Sequence, residues 1–291
     1  MKILIYGHKG WIGQQMLKHL SKEQVVKGEC RVNNKKLLEK EIKRVKPTHI
    51  ISFIGRTHGK IGDKTYSTID FLEQKGKIYE NVRDNLFSPL VLALLCKKYN
   101  IHLTYLGTGC IFKYDQNHPY EKEENGFLET DIPNFFGSSY SVVKGFTDEL
   151  MHLLDKTVLN LRIRMPISDD WSPRNFIYKI THYEKICSIK NSMTVLPEML
   201  PLILQMMKHQ RVGTFNLCNP GLISHNEILE MYKEIIDSNF TWKNFTEEEQ
   251  DKILAAERSN NYLDTTKLER LYKVDNIKVA VKKIIINLKN Q

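Results

Sequence analysis

Ile101-His102-Leu103-Thr104-Tyr105-Leu106-Gly107-Thr108-Gly109-Cys110 runs from an apolar stretch into a glycine break, and Ser139-Tyr140-Ser141-Val142-Val143-Lys144 follows downstream. An apolar run bounded by glycines reads as a buried strand. Tyr140 and Lys144 lie four apart, so on a helix they share a face. An ammonium beside a phenol favours the phenolate, and the expectation is a Tyr140 pKa lowered toward working pH. Such a tyrosine can donate and accept a proton. Thr108, at the strand end, can offer its hydroxyl to the same substrate oxygen. A Tyr and a Lys at this spacing, taken alone, describe an ordinary exposed helix face. What surrounds them changes that weight.

The chain begins with Ile3-Leu4-Ile5-Tyr6, then Gly7-His8-Lys9-Gly10-Trp11-Ile12-Gly13. This reads as strand, glycine turn and a helix over residues 14–21. GxxGxxG is one residue longer between its first two glycines than the dinucleotide fingerprint. Gly7 allows a tight turn, Gly10 close approach to a pyrophosphate, and Gly13 close packing of the helix on the strand, with phosphates at the helix N-terminus. A second strand is expected over 24–32. Beyond such a strand an acidic residue binds the adenosine ribose in NAD enzymes, and an Arg accommodates a 2′-phosphate. Glu29 and Arg31 are both present, so the signals conflict. Arg31 with Asn33, and Lys9 in the turn, tilt the reading to NADP; an exposed basic strand end is the competing view.

Residues 37–45 carry helical spacing, and 48–53 read as a buried strand ending at Ile54-Gly55. Residues 56–77 form a long polar stretch, and long loops in compact domains are usually functional or mobile. Residues 78–99 predict one amphipathic helix with a stripe of Val82, Leu86, Leu90 and Leu94, and with Asn85 as a buried polar group. Together with a strand over 158–163, the alternation specifies an α/β fold with a Rossmann-like doubly wound parallel sheet. Gly7, Ile54, Thr108 and Pro166 then converge at the C-terminal strand ends, where ligands bind. The cofactor is expected along Gly7, Lys9, Gly10, Trp11, Ile12 and Gly13, at Arg31 and Asn33, at Ile54 and Gly55, and at Tyr140, Lys144 and Pro166.

The 291 residues, 41% hydrophobic and 26% charged, describe a soluble globular protein. No apolar run approaches the ~20 residues of a membrane span, and strand residues follow Met1 without room for a leader. Cys30, Cys96, Cys110, Cys187 and Cys218 are odd in number and scattered. That argues against a disulfide framework or a zinc site and for a cytoplasmic setting. The net charge of +9 is interspersed with acids along the chain, without a basic tail. A solvated surface, or steering of a phosphorylated ligand, accounts for it better than nucleic acid.

Several further strings resemble one family of extended short-chain dehydrogenase/reductases. They are Gly109-Cys110-Ile111-Phe112, Pro133-Asn134-Phe135, Arg162-Ile163-Arg164-Met165-Pro166-Ile167-Ser168, Pro173-Arg174-Asn175-Phe176-Ile177, Asn219-Pro220-Gly221, Ser224-His225-Asn226-Glu227 and Arg258-Ser259-Asn260-Asn261. The family is the bifunctional UDP-4-keto-6-deoxyglucose 3,5-epimerase/4-reductases, which complete UDP-L-rhamnose synthesis. The likeness covers nearly the whole chain. It departs at residues 60–76, which are longer than the family pattern, and in lacking the fused 4,6-dehydratase domain of the long plant enzymes. A separate 4,6-dehydratase is therefore expected to supply the substrate.

The resemblance implies an NADP-binding domain over 1–166 and a nucleotide-sugar-binding domain over 167–291, some segments of which can return to the first. The implied substrate is UDP-4-keto-6-deoxyglucose. Its C3 and C5 flank the C4 ketone, so their protons exchange through an enolate that needs a stabilised oxygen and proton carriers. Thr108 and Tyr140 would hold the oxygen; Cys110 and Lys179 would be the acid/base pair by resemblance. A free thiol is often packing, and Lys179 needs its pKa depressed by burial or a neighbouring cation. Hydride from NADPH would then reach C4, with Lys144 also on the cofactor ribose. Asn134, Arg174, Asn175, Met193, Thr194, Arg258 and Asn260 are the implied nucleotide-sugar contacts, Arg258 being the best diphosphate clamp. A homodimer is the family default. A plain 4-keto-sugar reductase, which has no use for Cys110 and Lys179, and a non-catalytic NADP-binding subunit, which need not keep Tyr140 and Lys144, are the competing readings.

Overall fold

The computed structural model describes residues 1–120 and 125–291. The apolar run after Met1 forms β1 (Lys2–Tyr6), and α1 (Trp11–His19) starts inside the glycine turn rather than after it. β2 (Gln24–Lys27) is shorter than expected. Gly28 abuts Tyr6, where an added Cβ would lie 2.2 Å from a ring carbon. The chain then turns away, leaving Arg31 and Asn33 in a connection that Asn34 closes by capping α2 (Lys35–Val45). β3 (His49–Ser52) is buried throughout.

The long polar stretch holds structure of its own: a hairpin of β4 (Gly59–Ile61) and β5 (Lys64–Tyr66), then a 3₁₀ turn at Ile69–Phe71. α3 (Ile78–Val82), a π-helical segment over Arg83–Phe87 and α4 (Ser88–Tyr99) follow. β6 (His102–Thr108), α5 (Ser139–His152) and β7 (Val158–Ile163) come next. The remainder comprises β8 (Pro166–Ile167), α6 (Phe176–Thr181), β9 (Thr194–Val195), α7 (Leu196–Lys208), β10 (Gly213–Asn216), α8 (His225–Ile235), α9 (Glu247–Asp251), α10 (Thr266–Glu269) and α11 (Ile277–Lys289).

The single amphipathic helix expected over 78–99 is thus interrupted, and its stripe is not the core face. Val82 is 37% and Leu94 50% exposed, whereas Asn81, Asn85, Val91, Leu92, Leu95 and Cys96 are buried. A π turn inserts extra backbone and rotates everything after it. Asn85 explains why the turn is tolerated. Its amide receives the Arg56 N–H (2.8 Å) and donates to the Arg56 carbonyl (2.9 Å) and to Asn81 Oδ1 (2.8 Å). The expectation of a buried polar Asn85 holds.

Among the described residues the central sheet has six parallel strands in the order β10-β7-β6-β3-β1-β2. α1 and α7 cover one face through Met16, Leu200, Ile203 and Met206; α2 and α4 cover the other through Leu38, Ile42, Leu92 and Leu95. The chain returns to this sheet after residue 167, because β10 pairs with β7. A separate core of Ile177, Ile180, Ile228, Ile284 and Ile285 joins α6, α8 and α11. Since β1 leads to β2 on one side and to β3 on the other, the order reverses at β1, where such sheets open a ligand crevice.

Candidate active site

Two segments meet over that crevice. β6 ends at Thr108, whose Oγ1 accepts the Cys110 N–H (3.0 Å). α5 begins with Ser138 accepting from the Ser141 N–H (3.0 Å), and the Ser141 hydroxyl donates to the Cys110 carbonyl (2.7 Å). The helix carrying Tyr140 is therefore bonded to the turn carrying Cys110. Tyr140 is buried against Phe71 and Leu72, with Cys110 packed on the same cluster.

Burial holds the Tyr140 phenol above its ordinary pKa, with the neighbouring Cys110 adding and a hydrogen bond with Thr108 opposing. The expectation that Lys144 lowers it is corrected here. The Lys144 ammonium donates to the Tyr105 hydroxyl on β6, and burial brings its own pKa down to about 8, against the opposing pull of Asp148 and Cys110. Removal from water dominates both shifts, because desolvation disfavours phenolate and ammonium alike. A phenol that keeps its proton is suited to donating one.

Lys179 on α6 is lowered to about 8 by burial and then by the cations Arg174 and Arg258. His58 is lowered to about 4 by burial and then by Arg174, Arg56 and Lys179. These couplings gather Arg56, Arg174, Lys179 and Arg258 into one positive field around a neutral His58, suited to a diphosphate. Arg56 and His58 escaped the sequence reading. Their signal was their place just past the end of β3, at the carboxyl edge of the sheet.

A cavity of about 610 Å³ continues from there, with Tyr114, Phe135, Phe245, Arg258 and Asn260 among its walls. Arg258 is held by Asp70 and by the Ala256 carbonyl (2.7 Å). Asn260 donates to Glu247 (2.7 Å) and receives Asn191 (2.9 Å). Other expected sugar contacts are committed elsewhere. Asn134 holds the turn at Lys113 and Asp115. Asn175, fully buried, caps α6 and donates to the Ser168 and Asp170 carbonyls (both 2.7 Å). Thr194 Oγ1 bridges the Arg164 N–H and the Leu217 carbonyl, and Met193 lies in the α6/α8 core. Asn175, Met193 and Thr194 are fully buried, and buried side chains with satisfied polar atoms offer nothing to a ligand.

Arg164 was also unforeseen as a site component. It is 1% exposed. It donates to the Gly109 carbonyl (3.2 Å), to the Ser259 hydroxyl (2.8 Å) and carbonyl (2.9 Å), and to Asn191 Oδ1 (2.6 Å). These acceptors are neutral. The guanidinium ties the turn before Cys110 to the segment after Arg258.

The glycine turn fits a dinucleotide. Gly7 has φ +74°, and a Cβ on Gly13 would sit 2.3 Å from the Gly7 carbonyl oxygen, so only glycines close this turn. Gly10 caps α1 without a side-chain bond, leaving backbone N–H groups at the helix start for a pyrophosphate. Trp11 donates its indole N–H to Asp170 (2.9 Å), fastening the turn to the chain after β8. Ile54, Gly55 and Pro166 lie at the carboxyl ends of β3 and β7, on the same edge of the sheet as Thr108.

No family model matches the chain. The crystal structure of the L780 UDP-rhamnose synthase of Acanthamoeba polyphaga mimivirus superimposes with a TM-score of 0.94 at 54% identity, over 99% of each chain. The Arabidopsis thaliana bifunctional dTDP-4-dehydrorhamnose 3,5-epimerase/dTDP-4-dehydrorhamnose reductase is 45% identical over 91% of this chain and 86% of its own. An Arabidopsis trifunctional UDP-glucose 4,6-dehydratase/3,5-epimerase/reductase, RHM1, is 44% identical over 93% of this chain, which spans 39% of that longer protein.

Proposed function

The chain belongs to the nucleotide-sugar 3,5-epimerase/4-reductases of rhamnose synthesis, and we propose that it converts UDP-4-keto-6-deoxy-D-glucose to UDP-L-rhamnose with NADPH. The carrying observation is a pair of linked clusters: Tyr140 packed with Cys110, Phe71 and Leu72, and a Lys179 brought to about 8 beside Arg174 and Arg258, with Asp70, next to Phe71, pairing with Arg258.

Thr108 and the protonated Tyr140 hold the C4 oxygen. Cys110 and neutral Lys179 exchange the protons at C3 and C5 through the enolate that the held oxygen stabilises. Arg258, with Arg174 and Arg56 nearby, takes the diphosphate. A nicotinamide cofactor supplies the hydride for C4. The Gly7 to Gly13 turn would hold its pyrophosphate and Lys144 its ribose, while Tyr140 gives a proton to the C4 oxygen. Arg31 and Asn33, in the connection between β2 and α2, are the 2′-phosphate contacts of this reading and favour NADPH over NADH. The 4-keto substrate is the product class of a 4,6-dehydratase. Five free cysteines fit a reducing cytoplasm; among the described residues no helix is long and apolar enough to cross a membrane.

A homodimer accompanies this reading. Ile78, Tyr79, Phe87 and Leu94 beside α5, Phe146 on it and Leu153 just past its end are exposed apolar side chains, which pairing with a second copy would cover. Sedimentation would show a dimer, and a monomer at micromolar concentration would remove this part.

One incubation tests the reaction: protein, NADPH and UDP-4-keto-6-deoxyglucose, with product stereochemistry read by NMR. UDP-L-rhamnose is expected. A product unchanged at C3 and C5 would leave a plain 4-ketoreductase.

A further inference from the structure

The excursion between β3 and α3 touches the site at both ends, at Arg258 and at the start of α5. Asp70 reaches across it. Its Oδ1 accepts the Ala255 N–H (2.9 Å) and the Ala256 N–H (3.2 Å), and its Oδ2 pairs with the Arg258 guanidinium. Three residues on, Glu73 Oε1 accepts from both the N–H and the hydroxyl of Ser139 (2.8 Å each), at the first turn of the helix carrying Tyr140. Between these acids, Phe71 and Leu72 are buried against Tyr140 and Cys110.

The segment is held firmly enough to transmit position. Gln74 donates back to the Asp70 carbonyl (2.9 Å). Phe71 is wedged against Gly59, where a Cβ would lie 2.4 Å from its ring. A carboxylate that both accepts two backbone N–H groups and pairs an arginine fixes that arginine's direction more than its charge. Glu73, at a helix N-terminus, fixes the start of α5 in the same way.

We propose that residues 70–73 are the positioning element of the substrate site: Asp70 orients Arg258 toward the diphosphate, while Glu73 sets the start of α5 and hence Tyr140. The sugar nucleotide is thereby gripped at one end and presented to Tyr140 and Cys110 at the other by a single short stretch. This rests on the proposed function for the identity of the ligand. The contacts themselves do not depend on it.

The test uses the NADPH-loaded protein and UDP as probe. Asp70→Asn keeps an acceptor for the two backbone N–H groups but loses the ion pair. It should weaken UDP binding by about 10-fold or more and raise the sugar-nucleotide KM, with NADPH affinity unchanged. Glu73→Gln should leave UDP affinity alone and lower kcat by about 10-fold. That split between KM and kcat is something general destabilisation would not produce. Because Asp70 acts through Arg258, Asp70→Asn should add little to Arg258→Lys, a non-additivity visible even if one variant is less stable. Unchanged or tighter UDP binding by Asp70→Asn would overturn the proposal, since the carboxylate would then only compete with phosphate for Arg258. A wild-type protein that fails to make rhamnose, while Asp70→Asn still weakens UDP binding, would overturn the proposed reaction and support the clamp.

Discussion

The ammonium of Lys144 hydrogen-bonds the hydroxyl of Tyr105 on the neighbouring strand, and not that of Tyr140 one turn away on its own helix. Tyr105 is buried and its pKa is raised by that burial, so it remains a neutral acceptor that steadies the ammonium. Tyr105→Phe removes this partner, and the Lys144 pKa should fall below its present value of about 8. The charged lysine exists below its pKa, so the alkaline loss of reductase activity should begin at lower pH in the variant. A pH profile of NADPH-dependent reduction checks this; an unmoved alkaline limb would mean that Tyr105 does not hold the charge.

Tyr140→Phe removes the proton donor and keeps the ring that packs on Phe71 and Leu72. Turnover should fall by roughly 10²-fold or more, with NADPH binding retained. Near wild-type reduction would demote Tyr140 to a packing residue.

Cys110→Ala and Lys179→Met should separate the two activities. Each is expected to abolish overall rhamnose formation and slow solvent deuterium entry at C3 or C5, while reduction of an already epimerised sugar survives. If Cys110→Ala lowered only thermal stability and left exchange at the wild-type rate, the thiol would be packing.

The exchange reaction should also report Lys179 directly. Burial and the adjacent arginines hold its pKa at about 8, and a general base must be neutral, the form that dominates above the pKa. Exchange should therefore climb by about tenfold per pH unit below this value and level off above it. Lys179→Met should flatten that climb. A wild-type rate independent of pH between 6 and 8, expressed as roughly constant turnover, would point to another base.

Arg164→Met should cost about 1–3 kcal/mol in denaturant unfolding. Deleting the guanidinium takes the Arg164 donor from the Ser259 carbonyl, while the Gly109 carbonyl and Asn191 Oδ1 lose one donor each and keep Asn261. Deuterium exchange should fall alongside, because the turn before Cys110 loses its anchor. Unaltered stability would show that water or neighbours replace the guanidinium at little cost.

Much of this protein was decided locally. Apolar runs bounded by glycines, and a glycine that needs φ > 0, specified β1, the Gly7 turn and β6, because burial on both faces and backbone sterics act over a few residues. The four-residue spacing of Tyr140 and Lys144 placed both on the buried face of one helix for the same reason. The boundaries of β2 and α1 slipped, since these depend on what the chain meets, as Gly28 meets Tyr6. Tertiary structure alone decided the rest. The stripe of Val82 and Leu94 was a correct reading of apolar residues but not of the face that packs, because Asn81 and Asn85 took the inside and a π segment after Val82 rotated the helix that carries Leu94. Asp70 pairs with Arg258 across 188 positions, Arg164 with Ser259 across 95, and Lys144 with Tyr105 across 39. Charges and donors choose the nearest partner in space once water is excluded, and nearness in space at such separations is a property of the packed fold.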